Sequence, residues 1–124
     1  MGMCYSVELH FKVKPQMDNL LKSALTEMSV PFAEKCKKFD LTTLDGLLQL
    51  FFSGWCNQCE KSEENNGWIN FNADFDARYT WEKIMQDAFY AMAPYLYDGS
   101  YVYIEPDDEH YTMKVANGTV IFED

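Results

Sequence analysis

Apolar and polar side chains alternate strictly from Tyr5 to Val13. Tyr5, Val7, Leu9, Phe11 and Val13 fall on one side, and Ser6, Glu8, His10 and Lys12 on the other. A period of two with one apolar side predicts a half-buried strand, which Pro15 ends. The period then changes. Met17, Leu20, Leu21, Ala24, Leu25 and Met28 recur at helical spacing, so residues 16–29 are read as an amphipathic helix. Pro31 interrupts it, and Phe32–Phe39 is read as a second short helix with Phe32, Cys36 and Phe39 inward. The apolar run Leu44–Trp55 does not declare its period. A helix capped by Thr43, burying Leu44, Leu47, Leu48 and Phe51, is favoured because Asp45 and Gly46 sit badly in a strand interior. All-round apolarity places that helix at the centre of the core or against a partner.

Residues 57–67 (NQCEKSEENNG) show no apolar side and are expected to form an internal loop. Alternation returns from Trp68 to Phe75, with Ile69, Phe71, Ala73 and Phe75 opposite Asn70, Asn72 and Asp74. A helix follows from Thr80, striped by Trp81, Ile84, Met85, Ala88, Phe89 and Met92 and closed by Pro94. Asp98-Gly99 turns the chain into Tyr101–Glu105, and Pro106-Asp107-Asp108 turns it into His110–Val115. Asn117-Gly118 is a two-residue hairpin signal leading into Thr119–Phe122. The expected order is β-ααα-β-α-β-β-β: one α+β domain over residues 1–124, with a mostly antiparallel sheet and helices on one face.

Charge changes this picture. Residues 1–59 balance six acids with six lysines, whereas residues 60–124 hold fourteen acids against four cations, so the second half owns the whole net charge of −10. Such a field repels phosphate backbones and anionic membranes and attracts cations or a basic protein surface. The N-terminus shows neither the basic and apolar regions of a signal peptide nor a run long enough to span a membrane. With Cys4, Cys36, Cys56 and Cys59 unmatched by secretory signals, mostly reduced thiols and a cytoplasmic setting are expected.

The candidate chemistry is sparse. Trp55-Cys56-Asn57-Gln58-Cys59, preceded by an apolar run, resembles the active site of thioredoxin-like proteins, which implies a thiol-redox role for Cys56 and Cys59. In that family a helix N-terminus lowers the thiol pKa. Here the acidic Glu60–Gly67 stretch follows, and Pro106 is the only residue available for the family's cis-proline. The same pair could be half of a metal–thiolate site, with Cys4, Cys36, His10 and His110 as the remaining soft ligands. Asn70, Asn72, Asp74 and Asp76 depart from a calcium loop at Ala77 and Lys83. His10 and His110 lie on outer strand faces without the basic surroundings that phosphate chemistry needs. No catalytic constellation emerges, so neither an enzymatic activity nor a cofactor or metal is expected.

A tyrosine-bearing acidic surface remains. Tyr101, Tyr103 and Glu105 share one side of their strand, and Asp98, Asp107, Asp108 and Glu109 flank it. Carboxylates beside tyrosines suit an arginine-rich partner, through bidentate ion pairs and ring stacking. In size, acidity and lack of catalytic motif the chain resembles the small counter-defence proteins of phages and mobile elements, of the anti-CRISPR and antirestriction type. That resemblance implies an inhibitor, a nucleic-acid mimic acting in the cytoplasm of a bacterial host. The leading expectation is therefore a non-enzymatic protein that binds a basic, nucleic-acid-binding protein surface, without contacting nucleic acid or membrane itself. The thiol-redox or metal–thiolate reading is the second. A small oligomeric scaffold or ligand-sequestering protein, with Leu44–Trp55 as its contact, is the third.

Overall fold

The computed structural model describes residues 3–54, 59–78, 80–106 and 109–123. Within them, six strands form one antiparallel sheet: β1 (Met3–Phe11), β2 (Cys59–Glu63), β3 (Ile69–Ala77), β4 (Tyr101–Pro106), β5 (Tyr111–Ala116) and β6 (Thr119–Glu123). The spatial order is β2-β3-β1-β4-β5-β6. Three helices, α1 (Asp18–Ser29), α2 (Leu44–Phe52) and α3 (Thr80–Met92), pack on one another and on one face of that sheet. The expected α+β class and the one-sided helical layer are what the chain adopts.

The alternating strands set the two faces. On β1, Tyr5, Val7, Leu9 and Phe11 are buried towards the helices, paired with Phe75, Ala73, Phe71 and Ile69 of β3. Val102 and Ile104 of β4, then Met113 and Val115 of β5, continue the same apolar layer. Central β1 lies between β3 and β4, so the first strand of the chain joins two segments distant in sequence.

The helix α2 resolves the ambiguous apolar run. Its N-cap is Thr43, whose Oγ1 accepts from the Gly46 N–H at 3.1 Å. Asp40 sets up that cap. The Asp40 carbonyl accepts from Thr43 N (3.1 Å) and Thr43 Oγ1 (2.8 Å). Its carboxyl is held below the usual range by the Thr42 hydroxyl and backbone N–H. Leu47, Leu48, Leu50, Phe51 and Phe52 are all fully buried, each stabilising the fold by roughly 2 kcal/mol. The run is therefore central core. Those side chains are not available as the oligomer contact expected of Leu44–Trp55, of which Trp55 lies outside the described residues.

Two further expectations are corrected. Residues 32–39 do not form a helix. Pro31 starts a short 3-10 turn (Val30–Phe32), and one bond of α-helical span follows, from Cys36 N–H to Phe32 O at 2.9 Å. Cys36 and Phe39 are nonetheless buried, so the segment packs without helical continuity. Lys35, Lys37 and Lys38, close in sequence and alike in charge, give a helix there no support.

The polar stretch expected as a loop over 57–67 contains strand β2, so the sheet has six strands rather than five. β2 pairs with β3 from Cys59↔Ala73 to Glu63↔Ile69. As an edge strand whose residues after Cys59 are all exposed, it carries no apolar alternation, the one signal by which it could have been read. Lys61 ties it to the helical layer through an ion pair with Asp45. Among the described residues of this stretch, Glu64–Gly67 forms the turn, closed by Gly67 N–H to Glu64 O (3.0 Å); residues 57 and 58 lie outside the described residues.

Candidate protein-interaction face

No described helix covers the second face of the sheet. The strand registers order its outward side chains into rows running across the strands. One row reads Ser62, Asn70, His10, Tyr101, Lys114, Ile121, and the next reads Glu60, Asn72, Glu8, Tyr103, Thr112, Glu123. Below them lie Asp74, Ser6 and Glu105, then Asp76 beside Cys4. Among the described strand residues, the outward acids are Glu8, Glu60, Asp74, Asp76, Glu105 and Glu123, and Lys114 is the only outward Lys or Arg.

These carboxylates stand apart from one another. Glu8 is diagonal to both Asp74 and Glu105, which puts the backbones about 7–8 Å apart. Glu60 and Glu8 lie two strands apart, roughly 10 Å. That spacing lets each carboxylate take its own cationic partner. Two shallow depressions flank Glu8 and Tyr103, which line both. One, of about 390 Å³, also touches Tyr101, Lys114 and Glu123. The other, of about 270 Å³, also touches Ser6, Asn72 and Asp74.

Aromatic rings occupy the same face. His10 stacks on Trp68 with centroids 4.6 Å apart and planes within 7°, and it meets Tyr101 at 5.3 Å. His10 Nδ1 is 2.6 Å from Asn70 Oδ1, and Asn70 Nδ2 donates to Glu64 Oε2 at 3.0 Å, which fixes the imidazole in its stack. The Tyr103 hydroxyl donates to Glu105 Oε2 at 3.2 Å. Burial, then the charge of Glu8, raises the Tyr101 phenol above its usual pKa; burial, then Glu105, does the same for Tyr103. Both phenols are therefore neutral at physiological pH and present donors beside carboxylates.

The residues expected to bind a partner divide accordingly. Tyr101, Tyr103 and Glu105 share the open face of β4, away from the helices. Asp98 does something else. Its carboxylate accepts from Asn117 N–H (3.1 Å) and Gly118 N–H (3.3 Å), clamping the β5–β6 turn. Glu109 is exposed in the β4–β5 connection, its N–H bonded to Pro106 O at 2.9 Å. Asp107 and Asp108 lie outside the described residues. Sequence reasoning missed Glu8, Glu60, Asp74, His10 and Trp68 as members of this face. The outward alternation of Glu8, His10, Trp68 and Asp74 was visible, but neither the strand that carries Glu60 nor the strand order that gathers them all.

The thiol alternative is only partly in view, because Cys56 lies outside the described residues. Cys59 opens β2, half-buried, with its Sγ accepting from Gln49 Nε2 at 3.5 Å. Cys36 is buried, and the exposed Cys4 donates from Sγ to Asp76 Oδ1 at 2.9 Å. Among the described residues, no three His, Cys, Asp or Glu side chains are grouped to hold a metal ion. No described helix is long and apolar enough to cross a membrane. Comparison with protein-family models, with curated proteins and with solved structures finds no match for this chain.

Proposed function

We propose that this chain is a non-enzymatic binding protein whose open sheet face docks on a basic, arginine-bearing protein surface. The observation that carries this reading is the open face itself, where six outward carboxylates surround Tyr101, Tyr103, His10 and Trp68, and Lys114 is the one outward Lys or Arg among the described strand residues. Guanidinium groups suit both elements, pairing bidentately with carboxylates and stacking on aromatic rings. A basic protein groove that normally holds phosphates presents the complementary chemistry. Occupying such a groove would make the chain an inhibitor of a nucleic-acid-binding protein, as in phage counter-defence.

The test is a charge reversal confined to the face: Glu8→Lys, Asp74→Lys and Glu105→Lys together. All three side chains are exposed, so the fold should survive. The wild-type chain, immobilised and exposed to a bacterial lysate, should retain a basic protein at low ionic strength and release it as salt rises. The triple variant should not retain it. Equal retention of the same protein by wild type and variant would refute the acidic-face reading.

A further inference from the structure

The two edges of the sheet differ. β2 is guarded by charge, with Glu60, Lys61 and Glu63 exposed along it, as edges that avoid pairing commonly are. β6 (Thr119-Val120-Ile121-Phe122-Glu123) has neither lysine nor proline, and four of its five residues are exposed. Of the six exposed large hydrophobic side chains among the described residues, three lie along this edge: Ile121 (40%) on the open face, and Phe122 (53%) with Tyr90 of α3 (46%) on the helical side. Phe122 contacts Tyr90 at 6.5 Å and Tyr111 at 6.0 Å, continuing the apolar patch onto the helical layer.

We infer that the β6 edge is a homodimer interface, pairing antiparallel with β6 of a second copy about a two-fold axis at Ile121. The backbone permits it. A two-residue turn makes its flanking pair, Ala116 and Thr119, a hydrogen-bonded pair. Bonding then alternates, so Thr119, Ile121 and Glu123 point their N–H and C=O groups at β5. Val120 and Phe122 point theirs off the edge. In the dimer, Val120 of each copy faces Phe122 of the other as a hydrogen-bonded pair. Ile121 meets Ile121 at the axis, with Cα atoms about 4.5 Å apart.

The side chains are self-complementary in this register. Glu123 lies opposite Thr119, so no two carboxylates face each other. Val120 meets Phe122 on the helical side, where Tyr90 widens the contact towards the roughly 1,000 Å² that a specific interface needs. Because the axis is perpendicular to the sheet, both open faces lie on one side and join into a single twelve-stranded surface. A peptide strand from another protein would match the backbone but not this mutual pairing of Ile121, Val120 and Phe122.

Sedimentation velocity on the purified chain, from micromolar to high-micromolar concentration, tests this directly. The expected result is a mass rising to twice that of the chain. Added salt should promote association, because each copy carries a net charge of −10 that screening relieves. This dependence is opposite to the one expected for partner binding on the open face. Ile121→Lys puts two ammonium groups across the axis. Phe122→Pro removes an outward N–H without touching a bond to β5. Each should weaken the dimer about tenfold or more, with circular dichroism confirming the fold. A monomer at every concentration, or a dimer undiminished in either folded variant, would overturn the inference.

Discussion

Replacing Gly46 with alanine sets a local preference against a tertiary contact. Gly46 lies in the first turn of α2, and in an isolated helix the substitution would stabilise by about 1 kcal/mol. The fold opposes it. A Cβ at this position would run into the Asp40 carbonyl oxygen, and would stand 2.6 Å from Asp40 C and 3.1 Å from Asp40 N. These are backbone atoms that cannot swing aside. The Asp40 carbonyl accepts both the N–H and the hydroxyl of Thr43, and that hydroxyl accepts from Gly46 N–H. Displacing it forfeits two hydrogen bonds of about 1 kcal/mol each and adds overpacking of about 1–3 kcal/mol. Set against the gain in propensity, the net effect is destabilisation by about 3 kcal/mol. At a urea m value of about 2 kcal/mol/M, the unfolding midpoint should fall by about 1.5 M. Gly118→Ala is the control. Its φ of +78° carries strain, but nothing lies within 4 Å, so the loss should be only about 1 kcal/mol. An unchanged or raised midpoint for Gly46→Ala would show that the contact with Asp40 does not constrain the start of α2.

Other substitutions probe the turn clamp and the contact between α3 and the sheet. Asp98→Ala leaves the Asn117 and Gly118 N–H groups without their carboxylate; it should lower stability by about 1 kcal/mol and speed amide exchange at those residues. Unchanged exchange would mean the clamp is not populated in solution. The Tyr111 hydroxyl donates to Glu82 Oε2 at 2.6 Å and accepts from Gln86 Nε2 at 2.8 Å, and burial, then Glu82, raises its pKa. A phenol with a raised folded pKa stabilises fully below its unfolded value of about 10, and that contribution is lost as pH rises beyond it. Stability should therefore fall above about pH 10, and Tyr111→Phe should flatten that fall while weakening the neutral-pH fold by about 1–2 kcal/mol. The same alkaline slope in both proteins, followed by urea unfolding, would exclude Tyr111 as its origin.

Where a long segment keeps one apolar side, as in β1, β3, α1 and α3, its element was legible in the chain itself. The alternation in β1 and β3, the stripes of α1 and α3, the Thr43 cap and the Asn117-Gly118 turn are all patterns contained within a short stretch of sequence. Segments without an apolar side were not legible. β2 reads as a loop because an edge strand needs only backbone bonds to β3, and backbone bonds leave no mark on side-chain pattern. Residues 32–39 read as a helix because Phe32, Cys36 and Phe39 are spaced for one, yet they reach the core without it.

For the open face the division is equally physical. The chain alone determined that Tyr101, Tyr103 and Glu105 share a side, and that the acidity lies in its second half. It also grouped Asp98 with them as a flanking acid; the structure shows that carboxylate bonded to the Asn117 and Gly118 N–H groups. Only the tertiary structure decided that β1, from the electrically neutral half, lies between β3 and β4. That pairing brings Glu8 and His10 among Asp74, Trp68, Tyr101 and Tyr103, from segments far away in the sequence. Side-chain period is a local property that sequence carries openly. Strand order is a global choice made by the core, and the shape of the acidic face follows from it.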